Sequence, residues 1–595
     1  MALLLHDHHS ETNNFPILSK DHPGRTVSAP TKHRIEAPPD LNLVNCTIIT
    51  VDASDSIAEA VAIQADRIIA VGDTTFIDSL VGPNTRRIDL HGRTVTPGLL
   101  DAHAHFSPSQ FNRPDSLDLS YPRVKSIKDV QEAIAELAKE VPAGQWIQGR
   151  SWDEGKFTER RLITVQDLDK IAPEHPVWLS HTTGHYGVAN SAALRLAQIQ
   201  SETPDPPSGT IDRDSSGHLT GVLKETAQDL VAALIPPLTA AEIERGIREM
   251  ARAFNAEGMT GVKDPEISDK TWQAYRRVLA NDDLTVRVFT LWSGGTSIDE
   301  ARELIAKRAT TSRPYDANGD DHLIAGGVKL YADGSGGART AWMYDDWNVE
   351  FTDKDEGNRG YPNIDPDTLR KMIGMYHDAG LHIGTHAVGD RTIDLVVDSY
   401  ADAIRTNPKH GLRHAIIHAN IPTDHALDAM AALQRDYDTG YPEPSATFTW
   451  WIGDTYAGNF GARSRRLNPF ATFQRRGILW ANGSDYSVTP FPARYGIWAA
   501  VTRQPALNIY GGDPFGRDEV VDVRTALRAV TIWAARQMFL ETRIGSIEVG
   551  KYADLAVWDR NPYQVSTSDL KEMRCELTVF SGKIVFQGDT TMKID

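Results

Sequence analysis

The sequence predicts an α/β protein with a (β/α)8 TIM barrel and a small β-sandwich domain built from both chain ends. Three observations support this. Short β-type runs alternate with helical patterns across residues 98–535. Strand-like runs separated by Asp and Gly turns occupy residues 41–97 and 536–595. About 150 residues separate the first two barrel strands, which is too long for a plain loop and predicts an inserted segment at about 107–255.

The chain ends and the composition narrow the class of protein. Residues 1–40 are polar and rich in His, Ser and Pro, so we expect a poorly ordered N-terminal arm. No apolar run reaches the ~20 residues that span a bilayer, and the N-terminus lacks the apolar core of a secretory signal. We therefore expect a cytoplasmic protein. The net charge of −18 argues against nucleic acid and anionic membranes as partners.

Two cysteines, Cys46 and Cys575, are too few for a disulfide framework or a cysteine-rich zinc site. Any metal must therefore bind histidine, carboxylate or a less usual ligand. Both cysteines lie in the strand-like end segments, where we expect them to be buried as small apolar residues.

Eight runs in the middle of the chain are candidate barrel strands. Helical patterns separate most of them, for example one that opens at an Asp cap and closes at Gly within 365–380. The candidate strands are 98–103, 258–264, 286–292, 326–334, 381–387, 413–419, 445–451 and 477–485. The inserted segment has a helical pattern, a strand at 176–181 and a hairpin at 209–223.

Chemistry-bearing residues recur at the ends of these strands. His103 and His105 are two residues apart, so in an extended strand both imidazoles point to one face. Active sites of such barrels lie at the carboxyl ends of the strands. The other strand ends supply Lys329, His386, His418 and Asp485. Several coincidences would be needed to explain this set without function, so the sequence predicts a metal site.

The motifs resemble those of the amidohydrolase superfamily, specifically the amidohydrolase-3 (YtcJ-like) branch that includes N-substituted formamide deformylases. The resemblance spans about 43–585 and rests on VTPGLLDAHAHF, GVKLYADGSGGARTA, HIGTHAVGDRTID, RHAIIHAN, WANGSDYSV and GSIEVGKYADLAVWD. It implies a metal-dependent hydrolase of carbon–nitrogen bonds other than peptide bonds, with zinc as the usual metal.

The resemblance also implies roles for individual residues. His103 and His105 hold the more buried metal, and His386 and His418 hold a second. A carbamylated Lys329 would bridge the two ions, and an unmodified lysine would stand beside a single zinc. Asp485 ligates the first metal, takes a proton from the attacking metal-bound hydroxide and passes it to the leaving nitrogen.

His185 is a candidate catalytic helper at the substrate carbonyl, because its segment, HTTGHYGVANSAAL, matches the branch. The alternative is a helix-capping or core histidine. Substrate choice is expected to depend on the insertion and on residues 437–473, where the chain departs from the branch. Thirteen tryptophans favour an aromatic or apolar substituent on a small-molecule substrate, with Trp450 and Trp451 beside the pocket.

Several alternatives stay open at this point. The same metal site serves decarboxylases, isomerases and deaminases, and a non-enzymatic binding protein with a relic site is a further possibility. The complete set of candidate ligands argues against a relic. Acidic barrels of this kind often pair, so a homodimer is expected.

Overall fold

The computed structural model describes most of the chain. The described residues are 37–109, 113, 116–309, 311, 321–348 and 357–588. Nearly all of the predicted N-terminal arm lies outside them, and so does its HDHH motif at 6–9. No helix in the described part of the chain is both long and apolar enough to cross a membrane.

The strands fall into four sheets. In chain order they are β1 (Leu41–Val44), β2 (Thr47–Ile49), β3 (Ile57–Ala58), β4 (Ala60–Gln64), β5 (Arg67–Gly72), β6 (Arg86–Asp89), β7 (Thr94–Pro97), β8 (Leu99–Asp101), β9 (Leu117–Asp118), β10 (Ile147–Trp152), β11 (Val177–His181), β12 (Tyr186–Ala189), β13 (Gly209–Arg213), β14 (Leu219–Glu225), β15 (Met259–Ile267), β16 (Arg287–Ser293), β17 (Leu323–Tyr331), β18 (His382–Ala387), β19 (Ala415–His418), β20 (Tyr441–Glu443), β21 (Leu555–Trp558), β22 (Cys575–Phe580) and β23 (Lys583–Gln587).

Along the chain, most of the helices lie between two strands of the central sheet. In chain order they are α1 (Thr74–Asp78), α2 (Ile127–Glu140), α3 (Val165–Asp169), α4 (Ser191–Leu196), α5 (Asp229–Ala232), α6 (Ala240–Ala256), α7 (Asp269–Ala280), α8 (Ile298–Arg308), α9 (Pro366–Asp378), α10 (Asp390–Thr406), α11 (Asp424–Tyr437), α12 (Gly453–Phe460), α13 (Phe470–Arg475), α14 (Ala493–Thr502), α15 (Val523–Ala529) and α16 (Ile532–Gln537). The predicted cap at Asp365 is confirmed, because its side chain accepts the N–H of Thr368.

The central sheet has seven parallel strands in the order β20-β19-β18-β17-β16-β15-β8. Helices separate most of these strands along the chain, as an α/β barrel requires. Residues 481–485 connect the two edges. The N–H of Ala481 donates to the carbonyl of Pro442 in β20, and that of Asp485 donates to the carbonyl of His103, which follows β8. The curled sheet and this connection give a TIM-barrel-like α/β fold.

Two predicted barrel strands are wrong in detail. Residues 445–451 are not the seventh strand, which is Tyr441–Glu443; Ala446–Thr449 form a 3-10 helix. Threonine and aromatic residues there favour a strand, but the Thr449 hydroxyl donates to the Ala446 carbonyl and stabilises a tight turn. Residues 477–485 contain no regular strand in the structure, although their backbone bonds to both neighbours.

Gly483 explains part of this irregularity. A Cβ atom at this position would lie 2.7 Å from the Cβ of His103, so only glycine lets the backbone pass so close to the histidine. The eighth segment therefore sits against the first strand by close backbone approach rather than by a regular ladder.

The inserted segment forms a separate six-stranded sheet in the order β13-β14-β12-β11-β10-β9. The predicted helix, the strand at 176–181 and the antiparallel hairpin all occur, as α2, β11 and the β13–β14 pair. Apolar residues of α2 and of this sheet pack together, including Ile134 and Leu179. The insertion thus has a core of its own.

Two further sheets contain strands from the chain ends. β7 pairs with β21 antiparallel, which joins the N-terminal and C-terminal segments in one sheet. The other sheet has the order β5-β4-β1-β6. Leu43 and Ile63 of the second sheet share an apolar cluster with Val95, Leu555 and Val579 of the first. The sandwich arrangement and the exact domain boundaries stay predictions.

Both cysteines are buried, and burial raises the pKa of the Cys46 and Cys575 thiols to about 12. A thiol with so high a pKa is almost entirely protonated near pH 8, and the thiolate is the reactive form. We expect a thiol-specific disulfide reagent to label neither cysteine of the folded protein at pH 8. Both cysteines of the denatured protein should be labelled. Fast labelling of the native protein would contradict the burial of these residues.

Candidate functional site

All six predicted ligand residues meet at the carboxyl edge of the central sheet. His103 and His105 follow β8, Lys329 lies in β17, and His386 and His418 lie in β18 and β19. Asp485 is the last residue of the connecting segment 481–485. The ring centroids of His103 and His418 are 5.3 Å apart, and those of His418 and His386 are 4.8 Å apart. The register pairs Ala387 with His418 and so brings neighbouring strand ends together.

His103, His105 and Asp485 are spaced as ligands of one metal ion. The Nε2 atoms of the two histidines lie 3.4 and 3.5 Å from Oδ1 of Asp485. Metal–nitrogen bonds of 2.0–2.1 Å in a tetrahedron place neighbouring donors about 3.4 Å apart. The three donor atoms lie within 4.8 Å of one another. This spacing and the imidazole and carboxylate donors fit a divalent metal ion.

His386 and His418 form a second set of donors. Nε2 of His386 lies 2.9 Å from the carbonyl oxygen of Gly334, which accepts a hydrogen bond from Nε2–H. In the neutral ring this leaves Nδ1 with a free lone pair. Nδ1 of His418 is buried and has no hydrogen-bond partner among the described residues. Burial lowers the pKa of both imidazoles well below the usual value. Both rings are therefore neutral, which is the form that binds metal.

Lys329 lies between the two sets. Its Nζ atom is 3.4 Å from Nε2 of His103. Burial lowers the pKa of this lysine to about 8, even though the nearby Asp485 carboxylate acts in the opposite direction. A larger fraction of its amine is therefore uncharged near neutral pH, and an uncharged amine is the form that reacts with carbon dioxide.

A cavity of about 250 Å³ opens above these residues. The inserted segment supplies one wall, including His181 and His185 from the region between β11 and β12. Nδ1 of His185 is 2.9 Å from a carboxylate oxygen of Glu225, and its ring centroid is 5.1 Å from that of His386. The structure therefore places His185 at the same cavity as the predicted ligands, not at a helix cap.

Three residues near the ligands were not in the predicted site. Glu225 ends β14 and holds His185. Tyr331 is two residues after Lys329 on β17, and its hydroxyl donates to Glu266 over 2.7 Å. Residues i and i+2 of a strand point to the same face, so Tyr331 is expected on the same face as Lys329, as His105 is with His103. Glu266 lies two residues beyond the predicted end of the second strand, at 264. Glu225 has no comparable signal in the sequence, because it ends a hairpin strand of the insertion and not a strand of the predicted barrel.

Asp333 holds the loop that follows β17. Its carboxylate accepts the N–H groups of Val388, Gly389 and Trp342, and Oδ1 lies 3.5 Å from Nε2 of His386. Burial raises the pKa of this carboxyl to about 7 in spite of those three bonds. Asp333 therefore fixes the backbone around His386 and does not face the cavity.

A buried ion pair lies among the strands of the central sheet. Nζ of Lys263 on β15 is 2.5 Å from Oε1 of Glu443 on β20, and both side chains are fully buried. Oε2 of Glu443 has no partner among the described residues. The pair links β15 to β20, inside the same sheet whose strand ends supply the candidate ligands.

The predicted aromatic wall is not where the sequence suggested. No tryptophan is among the described residues that line the cavity. Trp450 packs against Tyr495 and Trp498, and Trp451 packs against Trp450 and Tyr121. These residues come directly after the 3-10 helix Ala446–Thr449 and do not end a strand, and their side chains pack in a neighbouring aromatic cluster.

Comparison with known proteins gives consistent results. Residues 86–586 match the model of the Amidohydrolase family. The N-substituted formamide deformylase of Arthrobacter pascens is 30% identical over 92% of this chain and 98% of that protein. The putative amidohydrolase YtcJ of Bacillus subtilis strain 168 is 27% identical over 89% of this chain and 96% of that protein.

A solved structure shares the fold. The crystal structure of an uncharacterized metal-dependent hydrolase from Pyrococcus horikoshii OT3 superposes with a TM-score of 0.67. It is 22% identical in sequence and covers 89% of this chain and 99% of that protein.

Proposed function

The chain belongs to the amidohydrolase family, and on this premise we propose that it is a metal-dependent hydrolase of a C–N bond in an amide, formamide or cyclic amide. One observation carries the proposal: Asp485 is spaced to share a metal with His103 and His105 and borders the cavity. The similarity to a formamide deformylase over nearly its whole length supports this bond type.

The metal would be held by His103, His105 and Asp485, with His386 and His418 as a second pair of ligands. When bound, the ion polarises a substrate carbonyl and lowers the pKa of water from 15.7 to about 7. We propose zinc, because the donor set is imidazole and carboxylate without thiolate.

Asp485 is the proposed proton shuttle. Its carboxylate accepts a proton from the attacking water and returns it to the leaving nitrogen, whose bond to the carbonyl carbon breaks. His185 is the proposed helper. Glu225 accepts a hydrogen bond from Nδ1–H of His185 and so fixes the ring, which directs Nε2 for a hydrogen bond to the substrate. The side chains around the cavity orient the substrate between these two groups.

Lys329 decides the number of metal ions in this proposal. An ammonium group is unfavourable beside a divalent cation, whereas a carbamate on the same nitrogen is an anion that can ligate two ions. We propose the carbamate and two zinc ions per chain. Metal analysis that gives about one zinc per chain in carbonate-supplemented protein would reject the bridge and leave a single-metal site.

The test of the function combines chelation with a substrate panel. We expect a zinc chelator to reduce hydrolysis of the best amide at least about 100-fold, and added zinc to restore it, because the metal supplies the activated water. The panel contains N-formyl, N-acetyl and cyclic amides, read by released amine, and carboxylates, read by released carbon dioxide. Carbon dioxide release without amine release would replace the proposal with decarboxylation.

A further inference from the structure

The charged groups around the cavity are mostly acidic. Four carboxylates line it, those of Glu225, Asp229, Glu266 and Asp485, and Lys329 is the single lysine among the described lining residues. No arginine is among them. Outside the proposed metal centre, a substrate carboxylate would therefore meet like charges and no guanidinium to bind it.

Two of the four carboxylates have no role in the proposed reaction. Asp485 belongs with the ligands, and Glu225 holds His185. Glu266 accepts one hydrogen bond, from Tyr331, through Oε2. Among the described residues, none donates a hydrogen bond to the carboxylate of Asp229 or forms an ion pair with it. Burial, and after it the negative charge of Glu266, raises the pKa of the Asp229 carboxyl.

Two buried amide oxygens add to this acceptor surface. Oε1 of Gln228 and Oδ1 of Asn363 have no partners among the described residues, and both residues line the cavity. Their orientation is fixed, because Nε2 of Gln228 donates to the Gly184 carbonyl over 3.0 Å. Nδ2 of Asn363 likewise donates to the Asp333 carbonyl over 2.8 Å. Gln228 is only 5% exposed, so its free acceptor is costly unless a ligand supplies a donor.

We propose that the substrate carries a cationic nitrogen group, an ammonium or guanidinium, on the amine side of the scissile bond, and that Glu266 and Asp229 bind it. Gln228 and Asn363 supply the neutral acceptors. Such a group offers three or more N–H donors and one positive charge. It therefore matches the two carboxylates and the two amide oxygens named above. The inference rests on the proposed hydrolase function, and it defines the substrate as a donor-rich amide rather than an N-acyl amino acid.

The test compares three N-formyl compounds of similar size with the holoenzyme. One carries a free primary amine, one a benzyl group and one a carboxylate. We expect kcat/KM to be at least tenfold higher for the amine than for the benzyl compound, and lowest for the carboxylate. The preference should fall as salt is raised, because salt screens the charges. A preference for the benzyl compound would overturn the inference and support the aromatic substituent predicted from the sequence.

Variants test the assigned residues. Glu266→Gln and Asp229→Asn should each reduce the ratio of kcat/KM for the amine over the benzyl compound at least fivefold, and the double variant should remove the preference. Asp299→Asn is the matched control, because this carboxylate is 86% exposed on α8 and outside the cavity. An unchanged ratio in the double variant would overturn the assignment.

Binding separates this inference from the function itself. Titration calorimetry with butylammonium and with butyrate measures the affinity of the cavity for a cation and for an anion, without turnover. Tighter binding of butylammonium that is lost in the double variant would support the inference even if no amide in the panel is hydrolysed. Equal or reversed affinities would overturn it even if amides are hydrolysed.

Discussion

Replacing Asp485 with asparagine is expected to reduce kcat by about 10²–10⁴-fold while most of the metal stays bound. Asparagine has nearly the shape of aspartate, and its Oδ1 atom can still lie near the Nε2 atoms of His103 and His105, 3.4 and 3.5 Å away in the native protein. An amide, however, does not accept a proton at neutral pH. The measurement is kcat on the best amide together with zinc content per chain.

The control for this experiment is Asp518→Asn, which changes an exposed carboxylate that pairs with Arg465 on the surface. It should keep both activity and metal. Activity of Asp485→Asn close to that of the native enzyme would refute the proton shuttle. Loss of all metal would show that Asp485 acts as a ligand first, and the shuttle would then need a separate test with zinc in excess.

The largest expected effect on stability comes from Lys263→Met. This change removes the partner of Glu443 and leaves a fully buried carboxylate with no counter-charge. Breaking a buried ion pair on one side typically costs about 3–5 kcal/mol. We therefore expect the free energy of unfolding to fall by this amount, which lowers the denaturant concentration at the unfolding midpoint. The measurement is denaturant unfolding followed by tryptophan fluorescence, with native and variant proteins at equal zinc content.

The double variant Lys263→Met with Glu443→Leu distinguishes the pair from general packing. Replacing a buried ion pair by apolar residues of similar volume is often neutral or stabilising. The double variant should therefore recover most of the lost stability. A double variant as unstable as Lys263→Met would show that the loss arises from the shape of the methionine and not from the unpaired charge.

The candidate ligands could be found from the sequence because five of them lie near, at or just beyond the end of a predicted strand, and Lys329 lies within one. In a parallel sheet all carboxyl ends lie at one edge, so residues far apart in the chain become neighbours without further information. His103 and Asp485 illustrate this: 382 positions separate them along the chain, yet their side-chain atoms are 3.4 Å apart. The resemblance to the amidohydrolase family and its YtcJ-like branch, made on the same motifs, is confirmed by the family match.

The seventh and eighth segments show where strand propensity fails. Residues 445–451 contain Thr, Phe and Trp, which favour strands, yet local hydrogen bonds and packing make a 3-10 helix of Ala446–Thr449. With the strand predicted at 445–451, Trp450 and Trp451 were expected at the cavity. The observed strand is Tyr441–Glu443, so the residue at its end is Glu443. Its partner Lys263 lies inside β15, which continues to Ile267, and the contact between the two residues becomes visible only in the folded structure.

The sequence by itself determined the α/β class, the insertion and the set of candidate ligands. These follow from local periodicity and from motifs, which a chain contains whether or not it is folded. Only the tertiary structure decided which face the insertion turns to the site. It therefore also decided that Glu225 holds His185 and that Glu266 and Asp229 line the same cavity without an ion pair to a described lysine or arginine. Charge complementarity across a cavity depends on distances between segments, and no local pattern in the chain encodes those distances.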